Sequence, residues 1–124
     1  TLVIPGLNDS EAEIDRLTGW IAGELGADVP LHFSAFHPAA RMTDRPRTPL
    51  DSLRRARAVA LANGLRHVYL GNVWDREGST TFCPRCGAAL VVRDGYSILR
   101  QRLGPDGLCP LCGAAVAGRW GAAD

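Results

Sequence analysis

The chain has 124 residues, 46% of them hydrophobic and only 6% aromatic, the size and composition of one folded domain or two small ones, which excludes a disordered chain. Its 14 basic and 13 acidic residues leave a formal net charge of +1, far from the strong positive field of a typical nucleic-acid binder, and all 14 basic residues are arginine. No apolar run approaches the ~20 residues of a membrane helix, and TLVIPGLND lacks the basic flank and cleavage site of a secretory signal, so a cytoplasmic, membrane-free protein is expected.

Leu2-Val3-Ile4-Pro5-Gly6 reads as the end of a buried strand running into a turn. A chain that opens inside a strand is expected to be the C-terminal part of a longer protein, whose missing N-terminal part supplies a partner for the strand edge at Leu2. Asn8-Asp9-Ser10 then offers an N-cap, and Ser10 with Glu13 has the spacing of a capping box. A helix should start there. Ile14, Leu17, Ile21 and Leu25 recur at helical spacing as its apolar face, Trp20 is expected to pack, and Gly26 suits a left-handed stop.

Leu31 to Pro38 has the pattern of a second strand. The proline-containing loop of residues 39–48 carries Arg41, Arg45 and Arg47, which could hold an anionic group, with Asp44 offsetting part of their charge. Thr48 can cap a second helix with Pro49 in its first turn. In that helix Leu53, Ala56, Val59 and Ala60 form the apolar stripe, Arg54, Arg55 and Arg57 face solvent, and Asn63-Gly64 ends it. His67 to Leu70 is a third strand.

Strand, helix, strand, helix, strand predicts an α/β unit with a parallel sheet and right-handed crossovers, either a small open sheet or the last part of an α/β barrel. Both architectures gather function at the carboxyl ends of the strands. There His37 ends the second strand as a candidate ligand contact, whereas His32 and His67, at strand starts, read as ordinary surface or partly buried groups. The expected division is an α/β part over 1–72, a linker over 73–81 and a second module over 82–124.

All four cysteines lie in that module, as Cys83-Pro84-Arg85-Cys86-Gly87 and Cys109-Pro110-Leu111-Cys112-Gly113, two CPxCG hooks separated by 22 residues. Two thiolates on a tight turn can occupy adjacent vertices of a tetrahedron, and the glycine after the second lets the backbone turn beneath an ion. Asp94-Gly95, flanked by alternating segments, predicts a hairpin that presents the hooks to each other. Paired spacing and a reducing compartment weigh against disulfides or unliganded thiols. Four thiolates suit Zn²⁺ or a rubredoxin-type Fe and leave no open position for water, so the site is expected to be structural or to contact a partner. A module of this size with so little core depends on its metal to fold.

The order VIPGLND, a strand ending FHP, the loop MTDRPRTP, a helix, YLGNV and two CPxCG hooks resembles the C-terminal part of radical S-adenosylmethionine enzymes related to pyruvate formate-lyase activating enzyme, in the AmmeMemoRadiSam-system branch. The resemblance covers nearly the whole chain. It implies the βαβαβ end of a partial (β/α)6 barrel followed by a zinc-ribbon-like or rubredoxin-like module. It implies that Ile4, Ser34 and His37 line the S-adenosylmethionine pocket, with Ile4 packing on adenine and His37 hydrogen-bonding the nucleoside or methionine part, and that the Met42–Pro49 loop lies near the substrate opening. It also implies a [4Fe–4S] cluster that drives formation of a 5′-deoxyadenosyl radical, and protein partners of the same system. The CxxxCxxC motif that ligates this cluster is absent from the chain, so the chain alone is expected to be inactive and the cluster ligands to lie outside it.

Two other readings remain from the residues. A non-enzymatic zinc-ribbon module could bind protein or, less readily, nucleic acid through Arg85, Arg93, Arg100, Arg102 and Arg119, although Tyr96 and Trp120 are a meagre stacking set. The four-cysteine site could also carry electrons.

Overall fold

The structure, a computed structural model, describes residues 1–121. They form two compact units, Thr1–Gly78 and a second beginning at Ser79. Among the described residues no helix is long and apolar enough to cross a membrane.

The first unit alternates β1 (Leu2–Val3), α1 (Glu11–Trp20), β2 (Leu31–Ala35), α2 (Leu50–Ala62) and β3 (Val68–Gly71). The strands pair in parallel in the order β1-β2-β3, with Leu2 opposite Ser34 and Leu31, His32, Phe33 and Ser34 opposite Val68, Tyr69, Leu70 and Gly71. This is the mixed α/β arrangement expected from the sequence. Val3, Leu31, Phe33, Ala35, Val68 and Leu70 join Ile14 and Ile21 of the first helical segment and Leu53, Ala56 and Ala60 of α2 in one buried cluster. Phe33 and Leu53 are fully buried, each worth roughly 1.5–3 kcal/mol relative to exposure. The intervening residues of the strands behave differently: Leu2 and His32 are exposed, and Ser34, Tyr69 and Gly71 only half-buried. Helices thus cover one face of the sheet and leave the other open.

α1 starts as the sequence predicts, with Ser10 Oγ accepting the Glu13 N–H at 3.3 Å. Its end differs. Residues Ile21–Leu25 form a π turn that closes with the Gly26 N–H donating to the Ile21 carbonyl, Gly26 lying at φ 98°. A π turn holds more residues per circuit than an α turn, which rotates Leu25 off the stripe of Ile14 and Ile21. Leu25 is 55% exposed, and Trp20, expected to pack, is 58% exposed. The two helices are tied where Asn63, just past α2, donates through Nδ2 to Thr18 Oγ1 at 2.8 Å and to Asp15 Oδ1 at 2.9 Å.

Thr48 does not cap α2. Pro49 holds that position without a side-chain cap, and the fully buried Thr48 clamps the strand ends instead. Its Oγ1 donates to the Val3 carbonyl at 2.6 Å and accepts the Phe36 N–H at 2.8 Å, while its own N–H donates to the Phe36 carbonyl. The backbone groups left over where β1 and β2 stop must be paired once buried, and this hydroxyl is the group within reach. Arg57 also departs from expectation. Only 14% exposed, it donates from Nε to the Val68 carbonyl and from Nη1 to Glu77.

The stretch over 73–81 is packed along much of its length. Asp75, 8% exposed, accepts Arg54 Nη2 at 2.7 Å and the Gly78 N–H at 2.8 Å. A Cβ on Gly78 would meet Leu70 Cγ at 2.7 Å, so Gly78 lies directly on β3. Residues 77–79 form a short 3-10 turn.

The second unit contains β4 (Thr81–Phe82), β5 (Ala89–Asp94) and β6 (Ser97–Gln101), antiparallel in the order β4-β5-β6. Asp94 pairs with Ser97, so the hairpin turn is Gly95-Tyr96, one residue later than the expected Asp94-Gly95, with Gly95 at φ 57° as its left-handed residue. Leu90, Val91, Leu103 and Val116 pack around Cys83 and Cys109, with Trp120 against them. Every residue of β6 is exposed.

Candidate functional site

The two hooks share one hydrogen-bonding pattern. In the first, the Cys83 N–H donates to the Ala88 carbonyl and the Gly87 N–H to the Cys83 carbonyl; in the second, the Cys109 N–H donates to Ala114 and the Gly113 N–H to Cys109, all at 2.8 or 2.9 Å. Gly87 and Gly113 both lie at φ 75°, which an L side chain rarely adopts, and this explains the residue at each position. Because β4 and β5 flank the first hook, and Leu108 and Ala115 bridge across the second, both turns are held from either side.

The hooks face each other across a small space. Cys83 Sγ lies 3.6 Å from Cys112 Sγ and Cys86 Sγ 3.7 Å from Cys109 Sγ, and all four sulfurs fall within 4.8 Å of one another. Sulfurs around a tetrahedral ion with bonds of ~2.3 Å sit at about this separation. Cys83 and Cys109 are buried, Cys112 half-buried and Cys86 exposed. Burial opposes ionisation of Cys83, but the N–H groups of Cys86 and Arg85 outweigh it and bring its thiol down to about 6. At Cys86 the Ala88 N–H favours the thiolate, yet partial desolvation and the sulfurs of Cys83, Cys109 and Cys112 push it up to about 11. Four sulfurs this close cannot all be ionised without a cation between them. The set is therefore positioned to hold a metal ion such as zinc, with every vertex supplied by protein, as in a zinc-ribbon-like module.

The other candidates stand at the carboxyl ends of the first unit's strands. Ile4 directly follows β1, half-buried, its N–H donating to Asn8 Oδ1 at 2.7 Å. Ser34 lies on β2 between Leu2 and Gly71, on the open face of the sheet. A Cβ on Gly71 would come within 2.9 Å of Ser34 Oγ, so the glycine leaves a small cradle above the serine. His37 is exposed just beyond β2, with Nε2 3.4 Å from the Asn72 carbonyl. Asn72 adopts φ 61° and donates through Nδ2 to the Ala35 carbonyl. The three residues thus share one rim.

Gly71 and Asn72 fall in the segment the sequence places on this rim but have no individual role in that reading, although a Gly-Asn pair after a strand is a recognisable turn signal. The arginines divide. Arg45 donates to the Pro5 carbonyl at 2.9 Å, and Arg93 donates to the Ser79 carbonyl and Thr81 Oγ1, so each serves the fold. Arg85, Arg100, Arg102 and Arg119 are exposed.

No family model matches the chain, and no solved structure matches it. It is 45% identical over 92 residues to an uncharacterized protein of Methanocaldococcus jannaschii. The match covers 74% of this chain but 28% of that protein, so the chain spans less than a third of this relative's length.

Proposed function

We propose that the chain is the C-terminal part of a radical S-adenosylmethionine enzyme, forming one wall of the cofactor pocket and ending in a zinc-holding four-thiolate module. The observation that carries this reading is the one-sided parallel sheet. Parallel sheets are ordinarily covered on both faces, whereas β2 here alternates buried and exposed residues with helices on one face alone. A barrel wall has this property, because its inner face is covered by the other strands of the barrel and by ligand. The cradle at Ser34 and Gly71 lies on that inner face, and its small residues suit the close approach of a flat nucleobase. Ile4 supplies an adjacent apolar contact. His37, with Nε2–H directed to the Asn72 carbonyl, keeps Nδ1 as an acceptor for a ligand hydroxyl or amine.

When bound, S-adenosylmethionine supplies the radical that removes a hydrogen atom from a substrate. Its cluster requires three cysteines from a CxxxCxxC motif, which this chain does not contain, and the two hooks do not replace it because they enclose an ion completely. This part of the enzyme binds, shapes and closes the pocket. The experiment is to read the gene upstream of the Thr1 codon for an in-frame CxxxCxxC, then reconstitute the encoded protein with iron and sulfide and measure 5′-deoxyadenosine under reducing conditions. Formation of that nucleoside supports the reading; a full-length protein without the motif, or cleavage by the 124-residue chain alone, overturns it.

A further inference from the structure

Where the start of α2 meets the segment after β3, the first unit has an open groove of about 460 Å³ lined by Arg47, Thr48, Pro49, Leu50, Val73 and Trp74. Its volume is that of a site for a small organic molecule. Three features give it a chemical character. The walls from Pro49, Leu50 and Val73 are apolar. Trp74 contributes an indole that is 72% exposed. Arg47 brings a guanidinium that has no hydrogen-bond or ion-pair partner among the described residues, unlike Arg45 on the same loop.

The surrounding charges add to Arg47 rather than cancel it. Arg76 lies over the Trp74 ring at 5.9 Å. Asp75 is taken by Arg54 and the Gly78 N–H, and Glu77 by Arg57. Asp51, in the first turn of α2, and Asp44, on the loop, are exposed acidic groups nearby in sequence, but neither lines the groove. An apolar slot with a flat aromatic wall and an unpaired guanidinium matches a ligand with a planar apolar body and a carboxylate. The body lies against the indole and displaces water from Leu50 and Val73, and the carboxylate takes two parallel N–H bonds from Arg47.

We propose that this groove is a binding site for a planar aromatic carboxylate. It is built entirely from the first unit and involves neither the four cysteines nor Ile4, Ser34 and His37; because Arg47 to Pro49 belong to the loop expected near the substrate opening, it deepens the radical-enzyme reading, while its test reads binding alone and so fails or succeeds apart from radical chemistry.

The test titrates the isotopically labelled 124-residue chain with 2-naphthoate and, in parallel, with 2-naphthamide, which has the same ring without the charge, following the Trp74 indole N–H and Arg47 Nε–H by NMR. Saturable shifts at both groups with naphthoate, and binding of the amide weaker by about tenfold or more, are expected, the size of losing one charge-assisted contact. Arg47→Gln should weaken naphthoate to the level of the amide, and Trp74→Leu should weaken both ligands; each position is exposed, and unchanged shifts elsewhere report an intact fold. Equal affinity for acid and amide, naphthoate binding unaffected by Arg47→Gln, shifts centred on Trp20 or Trp120, or no saturable shift at Trp74 each overturns the proposal. None of these outcomes depends on S-adenosylmethionine cleavage.

Discussion

The hydroxyl of Thr48 donates to the carbonyl of Val3 at 2.6 Å, joining the loop before α2 to the end of β1 from 45 positions away in sequence. The same oxygen accepts the Phe36 N–H, so one side chain closes the ends of two adjacent strands.

Thr48→Val keeps the shape of the residue but leaves both backbone groups without their partner in a buried place. A loss of roughly 2 kcal/mol or more is expected from urea unfolding, whereas Thr48→Ser, which retains the hydroxyl, should lose about 1 kcal/mol or less. Equal losses in the two variants would show that the methyl group, and not the hydroxyl, matters.

His67 is 5% exposed, and its Nε2 has no hydrogen-bond partner among the described residues. Burial lowers its pKa below the ordinary 6.5, with Asp28 opposing and Arg66 reinforcing the effect. The unfolded chain therefore binds a proton at higher pH than the folded one, and stability falls as the pH drops from about 6.5 to the lowered folded value, then levels off. Thermal unfolding of His67→Leu should lack this decline. A wild-type Tm that is flat across that interval would contradict a neutral buried imidazole.

Asp75 shows the opposite linkage. Burial opposes its charge, but the bonds from Arg54 and the Gly78 N–H outweigh that and lower its pKa. Its contribution is present above about 3.9, the unfolded value, and is lost as the pH falls through the folded one. Asp75→Asn should lower stability at pH 7 and flatten the acid limb of the stability profile. Gly78→Ala, whose Cβ would meet Leu70 at 2.7 Å, should cost about 1–3 kcal/mol by overpacking at every pH.

Metal removal should act on one unit. The second unit's core contains two of the four cysteines, so chelation or Cys109→Ser is expected to abolish its folded amide signals, while those of residues 1–78 persist. Elemental analysis should find one zinc or iron per chain, and none in the Cys109→Ser variant. Retention of the folded hairpin after complete removal of the metal would contradict a structural role for the ion.

The strands, helices and four-cysteine cluster were legible because each rests on a short-range pattern: apolar spacing for Ile14 and Ile21, alternation for Leu31 to Ala35, and CPxCG for the hooks. Thr48 was misread because its local context, Thr-Pro before a helix, is a sound capping signal, while the groups it actually bonds belong to strands far away in sequence. Leu25 failed because a π turn changes the period at a point where nothing in the sequence marks the change. Arg57 looked solvated, and Asp75 fell in a stretch expected to be a linker, because charge alone does not reveal a partner across a fold. The cradle at Ser34 and Gly71 depends on strand register, which the sequence left open.

β2 is the central strand of its sheet, yet it comes second in the chain, and both of its neighbours reach it only through a helical crossover. No stretch of the first unit can therefore assemble the sheet piecemeal: each ladder forms only after a long loop has closed, and Phe33 gains its surroundings only when both have closed. Folding of this unit should be all-or-none. The amide of Ser34, the residue of β2 paired with both neighbouring strands, should exchange with solvent only when the whole unit opens, making it a reporter of the unit's global stability.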